Sequence, residues 1–212
     1  REGAEMTRRA RGGFTLIELL VVICIIAILT GLVTVAVVGM LKTSRVNSTQ
    51  LFLQQLDGAL TAYQTRWGDY PPSTIDDLGG RAPNDVNNGI ESLVACLSSS
   101  RKGSVLFQPN EEHITNADGD RADRNVTQWY FGDNDLREYQ DFFQCTVAYM
   151  SGKDFARPKA GTLKVRVSKG AEDVEVKPEQ SPATKTWINA GKYQLRAAGP
   201  DGKFGTQDDI RP

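Results

Sequence analysis

Three carboxylates gather near the end of the chain. Asp201, Asp208 and Asp209 lie in Gly199-Pro200-Asp201-Gly202-Lys203-Phe204-Gly205-Thr206-Gln207-Asp208-Asp209, with three glycines among them and the strand-like Tyr193-Gln194-Leu195-Arg196 before them. Hard oxygens on a loop short enough to fold round on itself suit Ca2+, which takes about six to eight oxygen ligands and draws on backbone carbonyls to complete the set. The carboxylate spacing is not that of an EF-hand, and no glutamate closes the loop. The competing reading is a solvated Asp/Gly turn. A carboxylate of another kind, Glu18, is the single charge in an apolar run that continues to Leu41. An ionised carboxylate near lipid costs about 2.5–3.5 kcal/mol on insertion scales unless something neutralises it, so Glu18 calls for a cation or a route to the headgroups.

Catalysis finds no comparable set of residues. The one histidine, His113, follows Glu111 and Glu112, and no Ser/His/Asp set, Cys/His pair or phosphate-cradling glycine motif can be assembled around it. The chain is therefore expected not to be an enzyme. A formal charge of −1 with 24% charged residues gives no basic excess, which argues against nucleic acid as a partner.

The elements that position these carboxylates follow from the apolar pattern. The uncharged stretch from Leu19 to Leu41 covers about 34 Å as a helix, enough for a hydrocarbon core of about 30 Å. Arg8, Arg9 and Arg11 precede it and only Lys42 and Arg45 follow closely, which favours a cytoplasmic N-terminus and places the bulk of the chain outside. A secretory signal peptide is excluded because its apolar core runs only about 7–15 residues and ends at a small-residue cleavage site. Beyond Lys42, Val46, Leu53, Leu56, Leu60, Tyr63 and Trp67 recur at helical spacing, so the helix continues with one face against a core. Gly58 weakens that stretch by about 1 kcal/mol relative to alanine, requiring good packing or a locally loose helix. Gly68-Asp69-Tyr70-Pro71-Pro72 ends it.

The segment Arg8-Arg9-Ala10-Arg11-Gly12-Gly13-Phe14-Thr15-Leu16-Ile17-Glu18-Leu19-Leu20 resembles the processing signal of type IV pilins and type II secretion pseudopilins. The resemblance implies cleavage after Gly13 by a prepilin peptidase and N-methylation of Phe14. It also implies that Glu18 pairs with the Phe14 amine of a neighbouring subunit during assembly. That pairing answers the energetic question, because opposite charges attract strongly at low dielectric while either alone is penalised. The competing reading is a Glu18 that snorkels to the headgroups. Gly68-Asp69-Tyr70-Pro71-Pro72-Ser73 followed by Asn88-Gly89-Ile90-Glu91 is similar to the segment after the long helix in the major (G-type) pseudopilin. The C-terminal loop resembles that protein's calcium loop, whose acidic positions match Asp201, Asp208 and Asp209, with the carbonyls of Leu195 and Ala198 as further ligands. One departure is Val35, which stands where many relatives carry a helix-breaking proline, so that any loosening of the helix would fall at Gly31 instead.

The expected fold is α+β: a long N-terminal helix, half membrane-embedded and half amphipathic, on a small antiparallel β-sheet domain. Residues 1–13 form a cleaved leader, with Met6 or an upstream residue as the start, 14–41 the membrane and assembly helix, and 42–68 its continuation. Residues 69–212 form a periplasmic domain carrying the calcium loop at 195–210. Residues 133–149 read as strands about a tight turn. An insertion at 151–186 is read as a hairpin with Thr162–Ser168 against Val174–Val176, equally well a bland surface elaboration. Asp118-Gly119-Asp120-Arg121-Ala122-Asp123 could be read as a second calcium site, but Arg121 and Arg124 offer countercharges and a polar surface loop is the preferred reading. Cys24 packs in the apolar run, while Cys96 and Cys145 lie in the exported part, where a disulfide is chemically permitted.

The function so implied is a structural subunit of the type II secretion pseudopilus, a periplasmic filament driving protein secretion across the outer membrane. Its partners would be further copies of the chain in a helical filament, the prepilin peptidase, other pseudopilins with the inner-membrane secretion platform, and the bacterial inner membrane. A type IV pilin or minor pilin of a surface fibre, and a membrane-tethered binding protein borrowing the export signal, are the alternatives.

Overall fold

The computed structural model describes residues 13–79, 81–99, 105–122, 135–157 and 162–212. It divides into two compact units, Arg1–Thr43 and Ser44–Pro212.

Helix α1, Leu16–Trp67, opens on a capping box. The Glu18 carboxylate accepts from the backbone and hydroxyl of Thr15 at 2.9 and 2.8 Å, and the Thr15 hydroxyl accepts from the Glu18 amide at 3.3 Å. Side chains of its first stretch, from Leu16 to Leu41, are exposed. The Thr30 and Thr34 hydroxyls donate back to the carbonyls of Ile26 and Thr30 at 2.7 and 2.8 Å, so both are satisfied within the helix. The helix runs unbroken through Gly31 and Val35.

In the second unit the expected stripe is present. Thr49, Phe52, Leu53, Leu56, Ala59, Leu60 and Tyr63 are buried at spacings of three and four, and Val46 and Trp67 pack at the margins. Gly58 is exposed, and a Cβ there would meet nothing within 4 Å, so packing does not account for it. Gly68 takes φ +82°, a left-handed C-terminal residue that only glycine adopts cheaply.

The segment after α1 is stitched to helix α2, Asn88–Leu97. Asn88 accepts from the Ile75 amide at 2.7 Å, and the Ser92 hydroxyl donates to the Pro72 carbonyl at 2.7 Å. Among the described residues, six short strands form three antiparallel pairs: β1 (Ile114–Thr115) with β2 (Glu138–Tyr139), β3 (Ala148–Ser151) with β6 (Tyr193–Arg196), and β4 (Leu163–Arg166) with β5 (Asp173–Val176). Side chains of a strand alternate between faces, and β3 uses both. Tyr149 joins the main core with α1 and α2, whereas Ala148 and Met150 join a second cluster with Phe155, Leu163, Val165 and Val176. The β4–β5 hairpin expected at 151–186 is therefore a second covering layer for β3 rather than a surface elaboration.

Cys24, Cys96 and Cys145 enter no disulfide in this structure. Cys96 is buried on α2, while Cys145 sits in the turn after β2 with its sulfur toward the Phe143 carbonyl.

Candidate functional site

The sequence-predicted residues fall in separate places. In the N-terminal unit, Gly13 and Phe14 precede α1, with Phe14 83% exposed, and Glu18 caps the helix. An exposed aromatic, a hydroxyl cap and a carboxylate within one turn leave the residue after Gly13 open to an enzyme and to a neighbouring chain.

The C-terminal loop is closed at its base by paired backbone bonds between Ala197 and Ile210, both 3.0 Å. Its closure requires a glycine, because Gly199 has φ +68° and a Cβ there would lie 2.2 Å from the Asp208 carbonyl oxygen. Asp208 accepts from the Thr206 hydroxyl at 2.5 Å and from the Asp201 amide at 3.2 Å; these bonds hold its carboxyl below the usual range. Asp201 is exposed and accepts from the Lys203 amide at 2.8 Å. The Asp209 side chain is fully buried. One of its oxygens accepts from the Gly205 amide at 3.0 Å and lies 3.6 Å from the Arg196 guanidinium; the other is buried with no hydrogen-bond partner among the described residues. Burial raises the Asp209 carboxyl, with the Gly205 amide and Arg196 opposing. Leu195 sits in β6 opposite Tyr149, and Ala198 is buried where the loop begins. The loop thus offers hard oxygens and one orphaned carboxylate oxygen, the donor type that Ca2+ takes, without the carboxylates converging on one point.

The acidic stretch at Asp118 and Asp120 gathers further carboxylates that the sequence did not connect to it. Among the described residues, Glu91, Asp118 and Asp120 bring carboxylate oxygens within 4.8 Å of one another, a convergence that Asp201, Asp208 and Asp209 do not reach. Glu138 joins them from β2. It is fully buried, accepting from the Asn87 side chain at 2.9 Å and the Ala117 amide at 3.0 Å. Asn84 donates to both Asp118 and Asp120 at 3.0 Å. Burial first, then neighbouring carboxylates, push Asp120 up to about 7, and burial pushes Glu138 up to about 8 against its two hydrogen bonds. Gly119 and Arg121 are exposed as a polar surface loop would have them, while the half-buried Asp118 and Asp120 turn toward Glu91 and Glu138; Asp123 and Arg124 lie outside the described residues. The available signal was Glu91, a lone charge in the apolar run from Gly89 to Leu97, the same kind of signal that exposed Glu18.

Residues 8–34 match the prokaryotic N-terminal methylation motif. The chain carries a type IV pilin-like signal. The methylation motif spans the basic leader residues, Gly13, Phe14, Glu18 and the first part of α1, and implies processing by a prepilin peptidase and pilin-type assembly. Together with one helix, among the described residues, long and apolar enough to cross a membrane, it is consistent with a membrane-anchored protein. No curated protein and no solved structure matches the chain.

Proposed function

We propose that the chain is a structural subunit of the type II secretion pseudopilus, not an enzyme. It is inserted in the bacterial inner membrane with its N-terminus cytoplasmic and its Ser44–Pro212 unit periplasmic. Cleavage after Gly13 and methylation of Phe14 release it for assembly with further copies, other pseudopilins and the inner-membrane platform. The observation carrying this reading is the methylation motif with Glu18 inside it, since a carboxylate at the edge of a lipid-exposed helix is stabilised by docking against a neighbour's amine.

The choice of a pseudopilin over a fibre-forming pilin is supported by the C-terminal loop. Fibre pilins usually staple that region with a disulfide, whereas here Asp201, Asp208 and Asp209 would hold Ca2+ with carbonyls from Leu195 and Ala198. The ion would cross-link a loop that otherwise depends on the Ala197–Ile210 pairing, adding its binding energy to folding.

The test is Glu18→Ala in cells that carry a type II secretion machinery and lack the native gene. Membrane insertion and cleavage should persist while filament yield and secretion are lost. Normal filaments and secretion with Glu18→Ala would overturn the assembly role. Normal secretion in cells lacking the chain, with surface fibres lost, would favour the fibre reading.

A further inference from the structure

Glu179 lies between β5 and β6, and one buried side chain of β6 fixes its backbone. Gln194 accepts from the Glu179 amide at 2.7 Å and donates to the carbonyls of Glu179 and Ile188 at 3.0 and 2.8 Å. The Ile188 amide donates to the same Glu179 carbonyl at 3.0 Å, and Gln180 pairs with Trp187, so residues 179–188 turn back on themselves. Trp187 packs on the second core cluster, as does Phe204 of the C-terminal loop, so the two loops rest on one support. The Glu179 carboxylate so placed faces two cations. It accepts from Arg196 at 2.9 Å and from Arg211 at 3.1 and 2.5 Å. The Arg196 side chain, only 7% exposed, also donates to the Lys177 carbonyl at 2.7 Å and lies 3.6 Å from the Asp209 carboxylate. Arg211 donates to the Asp209 carbonyl at 3.3 Å. Asp209 is thus flanked by two guanidiniums, and Glu179 holds both.

That arrangement bears on any cation held by Asp209. A buried guanidinium beside the same carboxylate repels a dication, and charges out of water act on one another several times more strongly than in it. Glu179 offsets the repulsion. It also draws Arg196 toward itself, at 2.9 Å against 3.6 Å for Asp209, which leaves the Asp209 carboxylate less engaged. We infer that Glu179 is a positioning residue for Ca2+ at the C-terminal loop: by holding Arg196 and Arg211 it keeps Asp209 available to the ion and couples residues 179–188 to the ion's presence. This inference rests on the calcium reading and gives the 151–186 insertion a part in it. The coupling runs both ways, since a change in one site's affinity caused by the other is reciprocal. An ion on Asp209 leaves Arg196 to Glu179 alone and tightens the 179–188 loop.

The experiment is calorimetric titration of the full-length chain in detergent with Ca2+, following the binding that Asp208→Ala removes. Glu179→Gln should weaken that binding by about fivefold or more, because Arg196 then turns to Asp209. Adding Arg196→Gln to that variant should bring the affinity back toward the wild-type value, which a merely structural Glu179 would not allow. In parallel, a lysine-specific protease that needs no Ca2+ should cut after the exposed Lys185 of the 179–188 loop more slowly in Ca2+ than in chelator. That difference should be present in the wild type and lost in Glu179→Gln. Binding as tight in Glu179→Gln as in the wild type, or a double variant no tighter than the single one, overturns the positioning role and leaves the calcium reading intact. A wild-type chain without that binding overturns the calcium reading and this inference with it. If Glu179→Gln does not fold, the wild type decides alone: equal cutting after Lys185 in Ca2+ and in chelator overturns the coupling.

Discussion

Replacing Glu138 by glutamine tests the buried acidic cluster directly. Glu138 is fully buried and its carboxyl is raised from an ordinary 4.5 to about 8, so the folded chain holds a proton that the unfolded chain releases. Between those two values the folded state binds more protons, so stability falls as pH rises and is greatest at the acidic end. From pH 4.5 to 7 that is about 2.5 units at about 1.36 kcal/mol each, or about 3 kcal/mol from this group, with Asp120 adding to the same slope. Glutamine cannot ionise and should remove this group's share of the slope, while Asp120 and Glu91, also raised, keep theirs. It should cost about 1 kcal/mol at acid pH, because its amide nitrogen cannot accept from both Asn87 and Ala117 as the carboxyl does. The assay is urea unfolding of the Ser44–Pro212 unit with chelator present, at intervals from pH 4.5 to 8. Other charges facing the cluster are Glu91, Asp118 and the Arg166 guanidinium, which donates to the Asp118 carbonyl at 3.4 Å and pairs with Asp173, as well as the Arg121–Asp135 pair. A wild-type stability that is flat or rises across this range would refute the burial argument, and so would an unchanged slope in Glu138→Gln.

Gly58→Ala should stabilise the Ser44–Pro212 unit by about 0.5–1 kcal/mol, since the site is helical, exposed and open; thermal unfolding showing a loss would mean that the glycine is needed. Gly89→Ala should cost about 2 kcal/mol or more, because its Cβ would lie 2.2 Å from the Tyr149 carbonyl and α2 would have to withdraw from β3; an unchanged melting temperature would contradict that packing. Ca2+ should raise the melting temperature of the wild-type unit, and Asp208→Ala should abolish the rise while Asp120→Asn preserves it. Equal melting in Ca2+ and chelator would remove the metal from the C-terminal loop, and loss of the rise only in Asp120→Asn would move it to the Glu91 cluster.

The parts of the fold legible in the sequence were those written in long periodicities. Leu53, Leu56, Leu60 and Tyr63 gave the buried face of α1, Gly68 its end, and the alternation in Thr162–Ser168 the β4 strand. The processing signal was legible because its residues are contiguous. The cluster of Glu91, Asp118, Asp120 and Glu138 was not, since α2, a loop and β2 bring it together from positions far apart, and no local pattern records that juxtaposition. The structural role of the β4–β5 hairpin was hidden for the same reason: which face of β3 it covers depends on the pairing of β3 with β6. An orphaned oxygen such as that of Asp209 is a property of three-dimensional surroundings, whereas the glycines that allow its loop to close are visible in the chain.

Processing at the N-terminus bears most directly on whether the chain is an assembling pilin-like subunit. Intact mass and fragment spectra of the protein extracted from membranes should show a mature chain that begins at Phe14 and carries one methyl group on its amine. A chain still bearing Arg11-Gly12-Gly13, or one cut elsewhere with an unmodified terminus, would leave Glu18 without its proposed partner and contradict the account.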